Sequence, residues 1–480
     1  MGAFLKTDRL KIILVCLLFL SVRLPGLGTD ISNSDAARWH RRSVAYFRSL
    51  FQGDLKGTLP AYHPGIPLMW IGGAAEAVGK AFPATTSADA YVFVHTVSKV
   101  LLIFILLFLL IIQMGALSIL FGPGVSLWYG LIISAEPYMV GINRWFHLSS
   151  LEIFLGFTSI LLILLWKKTT KSYLLLFSVL FFVLSFLTKT TSLILAPVFF
   201  VVFFQDYLKR KIFTDIFKFV FFTVTLTVLF MPVLVFNPEF AVNKLFSGID
   251  SAISEDVRTG MLPPGIIPFF YIIILGFKLS PISVILFPIA IWCLRRKLNF
   301  EAKIVLLMSA LYYLALSFSV QKIDRYSLVF IPTIALFISM WVSNLKKNVR
   351  ILIAVSYLVA LAYNVWAYYP VLSAYYSPLF GGTSQALKMG FYDNSGEYFA
   401  QAAGYLNTKG TSIHTFVPDN IESFSVFFKG ESQTVFDEKT NYILRSLDTD
   451  RKYFESPLCS TLEKSFGSKE YKVVNVYLCR

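Results

Sequence analysis

The stretch TVSKVLLIFILLFLLII, residues 96–112, decides the fold. From Val100 to Ile112 it offers water nothing but hydrocarbon, and at about 1.5 Å of rise per residue such a helix covers most of the roughly 30 Å apolar core of a bilayer. Comparable runs recur at about 12–28, 123–140, 147–166, 173–188, 190–206, 213–235, 266–294, 303–320, 324–344 and 351–369, so the sequence predicts about eleven spans. Of the 480 residues, 56% are hydrophobic and 15% charged, whereas about a quarter of a soluble domain is charged. The mean hydropathy of +0.66 agrees. The chain reads as an α-helical polytopic membrane protein.

The net charge of +15 does not indicate nucleic acid, because that reading needs Lys and Arg gathered on one soluble face. They fall instead in short clusters between alternate spans: Lys6, Arg9 and Lys11; Lys167, Lys168 and Lys171; Lys209 to Lys211; Arg295, Arg296 and Lys297; Lys346, Lys347 and Arg350. The positive-inside rule makes these cytoplasmic. The expected topology in the plasma (inner) membrane has a cytoplasmic N-terminus and four parts: a first helix at 1–28, a first external loop at 29–95, the remaining spans at 96–369, and an external soluble domain at 370–480. The connection at 113–122 carries no charge and neither supports nor opposes this scheme. The first apolar core, Ile12 to Val22, is as short as that of a signal peptide, but no A-x-A-like site follows, which favours a retained helix.

Within the first loop, Asn33 or Ser34 can cap a helix over about 35–52, with Val44, Phe47, Leu50 and Phe51 on one side and Arg38, Arg41, Arg42 and Arg48 on another. Such a helix lies in the membrane interface. The glycine-rich LMWIGGAAEAVGKAF reads as a second interfacial or re-entrant helix. In the tail, TSIHTFV, TNYILRS and YKVVNVYLC predict strands around a helix at 395–407, a small α+β unit. Cys459 and Cys479 can pair there or stand as free thiols.

A charge in mid-bilayer costs about 2.5–3.5 kcal/mol, so charges beside apolar tracts need a reason. The expected topology puts Asp35, Arg38, Arg41 and Arg42 of NSDAARWHRR (33–42), Glu136, Arg144 and His147 of SAEPYMVGINRWFHLSS, Lys189 of SFLTKTTSLI, and Lys322, Asp324 and Arg325 of SFSVQKIDRYSLVFIP all at the outer face. These side chains can converge on a cationic pocket containing a few carboxylates. Arginine grips phosphate with a forked geometry and lysine as a point charge, and a lipid phosphate is the anion found at that depth. The plainer reading is a set of snorkelling anchors. Phosphate beside an external carboxylate suggests group transfer from a lipid carrier, with a cation-stabilised leaving group and a carboxylate that handles the acceptor's proton. No G-x-x-x-x-G-K-[ST], H-E-x-x-H or paired C-x-x-C is present. His63, before Pro64 and Gly65, is either a pocket or metal residue or a hydrogen-bonded loop histidine. Tyr271 and Lys278 stand near the outer end of a span, and Arg258 lies in a long external loop of a kind that can close over a site or merely connect.

With these residues in hand, the sequence resembles the family 39 glycosyltransferases, the protein O-mannosyltransferase-like group of GT-C membrane enzymes, and more distantly the lipid A aminoarabinose transferases. The resemblance spans nearly the whole chain through SDAARWHRRSVAYFRSLFQGD, HPGIPLMW, EPYMVGINRWFHLSSL, FLTKTTSLILAP, QKIDRYSLVFIP and YYSPLFGG, in family order. It implies inverting transfer of a sugar from a polyprenyl-phosphate-linked monosaccharide to a protein, lipid or glycan acceptor on the external face. Asp35 stands at the acidic position of the first loop, with Asp30 as a nearby substitute; Lys189, Lys322 and Arg325, with Tyr326 beside them, match the positions expected to hold the donor phosphate. Two departures weaken a metal site: Ser149 replaces the usual second-loop aspartate and Ala36 a common second carboxylate. Glu152 or Glu136 can stand in for the missing acid. A divalent cation is therefore doubtful and no other cofactor is implied.

Two other classes compete. A lipid-linked sugar flippase or transporter tends to place its polar site at the midplane within an internal repeat; here the charges crowd one face and no repeat is visible. A non-catalytic outer-face binding protein is consistent with the missing acid. Asp35 by itself is also what a helix N-terminus favours, by about 0.3–1 kcal/mol.

Overall fold

The computed structural model describes residues 9–205, 212–254, 262, 264–447 and 459–479. Arg258 and the cluster Lys209 to Lys211 lie outside the described residues. The first half folds as α1 (Arg9–Arg23), α2 (Ser34–Gln52), α3 (Ile66–Gly79), α4 (Ser87–Phe121), α5 (Pro123–Ala135), α6 (Pro137–Asn143), α7 (Leu148–Thr169), α8 (Ser172–Thr188) and α9 (Ala196–Phe204). It continues with α10 (Ile212–Phe230), α11 (Val233–Phe236), α12 (Pro238–Ser254), α13 (Phe270–Lys278), α14 (Pro281–Leu294), α15 (Phe300–Phe318), α16 (Ile331–Val342) and α17 (Lys347–Tyr368).

Every apolar run foreseen in the sequence contains helix, but the helices differ in length, and α1 stops at Arg23, short of the expected end at 28. Among the described residues six are long and apolar enough to cross a membrane, or seven if the bent pair α5 and α6 forms one span. Five further apolar helices, α3, α8 and α14 among them, are shorter. The run at 266–294 is two helices, not one. Pro281 disfavours helix at the residue before it, and Ser280, extended, instead caps α14 by accepting from the Ser283 N–H at 3.2 Å. The same chemistry breaks α5 from α6: Glu136 is extended ahead of Pro137, and the two axes meet at 66°.

α7 is the central post, buried from Leu148 to Trp166 and packed on α4 and α8. α10, by contrast, turns Phe213, Phe217 and Phe221 outward, as a helix against lipid does. After α17 come α18 (Gly382–Lys388), α19 (Phe399–Asn407) and α20 (Ile421–Ser425) with a five-stranded sheet, β1 (His414–Phe416), β2 (Glu431–Gln433), β3 (Tyr442–Ser446), β4 (Thr461–Gly467) and β5 (Lys472–Leu478), in the order β2-β1-β3-β5-β4. β1 runs parallel to β2 and β3, and β5 antiparallel to β3 and β4. Cys459 and Cys479 form a disulfide at the ends of the β4–β5 pair.

The tail is pressed onto the helical body. A Cβ at Gly141 in α6 would lie 2.5 Å from the Ser373 Cα, so only glycine permits this approach of the two backbones. Gln401 donates to the carbonyls of Thr29 and Asp30, each at 3.0 Å. Arg38 and Arg41 of α2 both reach Glu422 of α20, at 3.0 and 3.1 Å.

Candidate active site

Two helix N-termini meet at the site. α2 begins at Asn33, whose side chain accepts from the Ala36 N–H at 2.7 Å, and this sets Asp35 in the first turn. α7 begins at His147, whose Nδ1 accepts from the Ser149 N–H at 3.2 Å. With Nδ1 occupied as an acceptor, the proton resides on Nε2 and points at Asp35 Oδ2, 3.3 Å away. One hydrogen bond thus fixes both a helix start and a tautomer.

Arg325 supplies the second donor to Asp35 Oδ2, through Nη2 at 3.1 Å. Oδ1 is less engaged, with Arg38 Nη1 at 3.9 Å. Burial pushes the Asp35 carboxyl up, but the His147 hydrogen bond and the charges of Arg325 and Arg38 outweigh it and hold the group well below the usual carboxylate range. Burial draws the His147 imidazole down to about 4 despite its carboxylate partner. The pair at neutral pH is therefore a carboxylate and a neutral histidine.

Beside it, Lys189 ends α8 and lies 3.6 Å from Glu152 in the second turn of α7 and 4.2 Å from the ring centre of Tyr326. Thr191 and Ser192 also donate to Glu152. Ser149, Glu152, Lys189, Arg325 and Tyr326 line a small cleft. Two buried polar atoms at it, Arg325 Nε and Ser149 Oγ, lack a hydrogen-bond partner, a state that costs about 1–3 kcal/mol each unless a ligand or water supplies one. His63 sits close by, with Nδ1 2.9 Å from Thr190 Oγ1, and burial together with the Lys189 charge keeps its imidazole far below the ordinary value.

The other candidates brace this cluster or lie apart from it. Lys322 is fully buried and donates to the carbonyls of Leu316, Ser317 and Ser319 at 2.6–2.9 Å, closing the end of α15. Tyr271 donates to Gln321 O at 3.2 Å, and Lys278 pairs with Asp324 at 2.9 Å. These three contacts fix the segment that delivers Arg325. Glu136 faces α14, accepting from the Ser280 N–H at 2.5 Å and from the hydroxyls of Ser280 and Ser283 at 2.9 and 2.6 Å. Arg144, expected at the phosphate, is instead buried against Asp30 at 3.0 Å and donates to the carbonyls of Val22, Arg23, Pro25 and Pro370.

The sequence reading missed Lys99 and the pair His40 and His95. Lys99 Nζ lies 2.6 Å from Asp30 and 2.7 Å from Ile31 O. His95 Nε2 donates to the same Ile31 carbonyl at 3.0 Å, which leaves its Nδ1 to accept from His40 Nε2 at 2.9 Å. Together they pin the strand of chain that leads into Asp35. The signal for Lys99 was its own position, a cation immediately before the hydrocarbon run that begins at Val100. Among the described residues no group of three His, Cys, Asp or Glu side chains is placed to hold a metal ion.

The fold and the site define a multi-pass helical membrane protein, with six or seven span-length apolar helices among the described residues and a sheet-bearing tail packed against the helical body. The fold is shared with the crystal structure of ArnT from Cupriavidus metallidurans bound to undecaprenyl phosphate, at 13% identity and a TM-score of 0.57 over 97% of both chains. Its apo state matches at 12% identity and 0.56, again over 97% of both. The archaeal oligosaccharyltransferase AglB from Archaeoglobus fulgidus, in complex with an inhibitory peptide and a dolichol-phosphate, matches at 9% identity and 0.49 over 94% of this chain and 71% of that one. No family model matches the sequence, and no curated protein matches it.

Proposed function

We propose that the protein is an inverting glycosyltransferase of the family 39 type, moving a sugar from a polyprenyl-phosphate-linked monosaccharide to an acceptor at the external face of the membrane. The observation that carries this reading is the asymmetry of Asp35: Oδ2 is held by His147 and Arg325 while Oδ1 is left to face an incoming group. The crystal structure of ArnT with undecaprenyl phosphate supports a lipid-phosphate ligand for this fold.

In this mechanism the acceptor hydroxyl donates to Asp35 Oδ1, which aims its oxygen lone pair at the anomeric carbon. The new C–O bond forms on the face opposite the C1–O–P bond as that bond breaks. The electron pair leaves with the lipid phosphate, and the hydroxyl proton passes to Asp35 and then to solvent or the departing phosphate. Because Asp35 is a weak base, orientation is its larger contribution until charge develops on the acceptor oxygen. Lys189, Tyr326 and the unpartnered Nε of Arg325 receive the phosphate in the cleft and stabilise its growing charge in a site shielded from water. Arg144 and Lys322 have no part in this; both support the backbone. Of the two stand-ins for the missing acid at Ser149, we take Glu152, which pairs with Lys189, over Glu136, which is engaged by Ser280 and Ser283.

The test is sugar transfer from a panel of labelled polyprenyl-phosphate monosaccharides by the protein in lipid, wild type beside Asp35→Asn. Transfer or donor hydrolysis by the wild type alone, with donor binding retained in the variant, is the expected result. Equal activity in both removes Asp35 from the mechanism, and donor binding without turnover in the wild type favours a binding protein.

A further inference from the structure

At the end of the bundle away from Asp35 the cations are arranged differently. Lys99, Lys189, Lys278 and Arg325 each meet a carboxylate. A crevice of about 450 Å³ between α1, α5 and α17 is lined by Lys11, Lys347 and Arg350, and among the described residues no carboxylate lines it. Among the described residues neither Lys347 nor Arg350 has an ion-pair partner. Like charges around one cavity repel unless an anion lies between them.

Two further features point to the same ligand. α5 and α17 both begin at this crevice, through Pro123 and Lys347, and neither start has a side-chain cap, so the positive ends of both helix dipoles and their free first-turn N–H groups accompany the three cations. Behind the charges the wall is hydrocarbon: Val15, Leu131 and Ile351 continue it along the helices, with Trp128 beside them. A soluble anion has no use for that wall. An amphiphile with a phosphate head and acyl chains fits both halves.

We propose that this crevice is a discrete binding site for an anionic glycerophospholipid, with the phosphate held by Lys11, Lys347 and Arg350 and an acyl chain laid against α1, α5 and α17. The site lies in the opposite leaflet from Asp35 and is independent of the reading given to that residue. Its occupant bridges α1, α5 and α17.

The experiment is native mass spectrometry of the full-length protein in detergent, titrated with phosphatidylglycerol or phosphatidylcholine. Wild type is expected to retain one phosphatidylglycerol in clear preference to phosphatidylcholine. Lys347→Gln/Arg350→Gln is expected to weaken that retention about 25-fold, at about fivefold per charge, while Arg296→Gln/Lys297→Gln, which removes two exposed charges from another cluster, leaves it unchanged. Unchanged thermal unfolding of the first variant in phosphatidylcholine shows that it is folded. The proposal is overturned by equal retention of the two lipids, by equal losses in the two double variants, or by displacement of the lipid with millimolar inorganic phosphate, which would mark a site for the free anion.

Discussion

Asp30, Lys99 and Arg144 invite a comparison of two substitutions that look equally severe on paper. All three side chains are about 1% exposed, with Lys99 2.6 Å and Arg144 3.0 Å from the carboxylate, so the group carries one negative and two positive charges. Asp30→Asn leaves two buried cations with no counter-charge. Removing one partner from a buried ion pair costs about 3–5 kcal/mol. Carbonyls partly solvate both cations: Ile31 O for Lys99, and Val22, Arg23, Pro25 and Pro370 for Arg144. The expected loss is therefore near the lower end, about 3 kcal/mol. Lys99→Met does the opposite, leaving a balanced pair of Asp30 and Arg144, and Ile31 O keeps His95 as a donor. Its expected cost is under about 1 kcal/mol, because an apolar side chain of similar volume replaces a charge that was in excess. Thermal unfolding of the detergent-solubilised protein, followed by tryptophan fluorescence, separates the two. Asp30→Asn should lower the midpoint by on the order of 5 °C for a chain of this size, and Lys99→Met should leave it within a degree or two. If Lys99→Met were as damaging as Asp30→Asn, or Asp30→Asn harmless, the charge balance described here would not be what holds the three residues together.

His147→Ala removes a donor from Asp35 and the cap of α7 together; transfer should fall about 10- to 100-fold, and His147→Gln should recover part of it, as measured by turnover at saturating donor. Because burial keeps the His147 imidazole at about 4, the rate of the wild type should show no inflection from this residue near pH 6.5. Glu136→Ala strips three donors of their buried acceptor at the start of α14 and should lower stability by about 2–4 kcal/mol, with Glu136→Gln intermediate, both read by thermal unfolding. Burial lifts Glu397 in the tail to about 8. Between the ordinary value and that one the folded chain holds a proton that the unfolded chain has released, so wild-type stability falls as pH rises. Glu397→Gln should escape this, and its advantage over wild type should grow between pH 5 and 8 by at most about 4 kcal/mol, measured as unfolding midpoints across that range.

Elements governed by bilayer-length hydrocarbon were legible in the sequence, because every such run has one way to satisfy its backbone in lipid. Where one run held two helices, at 266–294, the decisive residues were Ser280 and Pro281, local stop and start signals inside an otherwise uniform stretch. In the tail, the strands rich in Val, Ile and Tyr stood out, while β2 (ESQ) and β4 (TLEKSFG) did not: one is three polar residues long and the other mixes exposed charges with few apolar positions. The site divided in the same way. Asp35, His147, Lys189, Glu152, Arg325 and Tyr326 share short turns at one end of the bundle, and the topology alone brings them near one another. Arg144 and Lys322 have the same sequence surroundings, yet their side chains turn to carbonyls. Nothing in a linear sequence distinguishes a guanidinium facing a cleft from one facing Pro370.

The contacts of Arg144 also impose an order on biosynthesis. Its partners appear from the ribosome at very different moments: Val22 to Asp30 before it, Lys99 before it as well, and Pro370 only after more than two hundred further residues. Lys99 enters the membrane when Asp30 has already been made, so its charge has a mate on arrival. Arg144, inserted next, shares the same carboxylate and finds the carbonyls of Val22, Arg23 and Pro25 already made, and waits only for the Pro370 carbonyl. The N-terminal third is therefore built to hold its charges unaided during synthesis, with the arrival of the tail as the final latch.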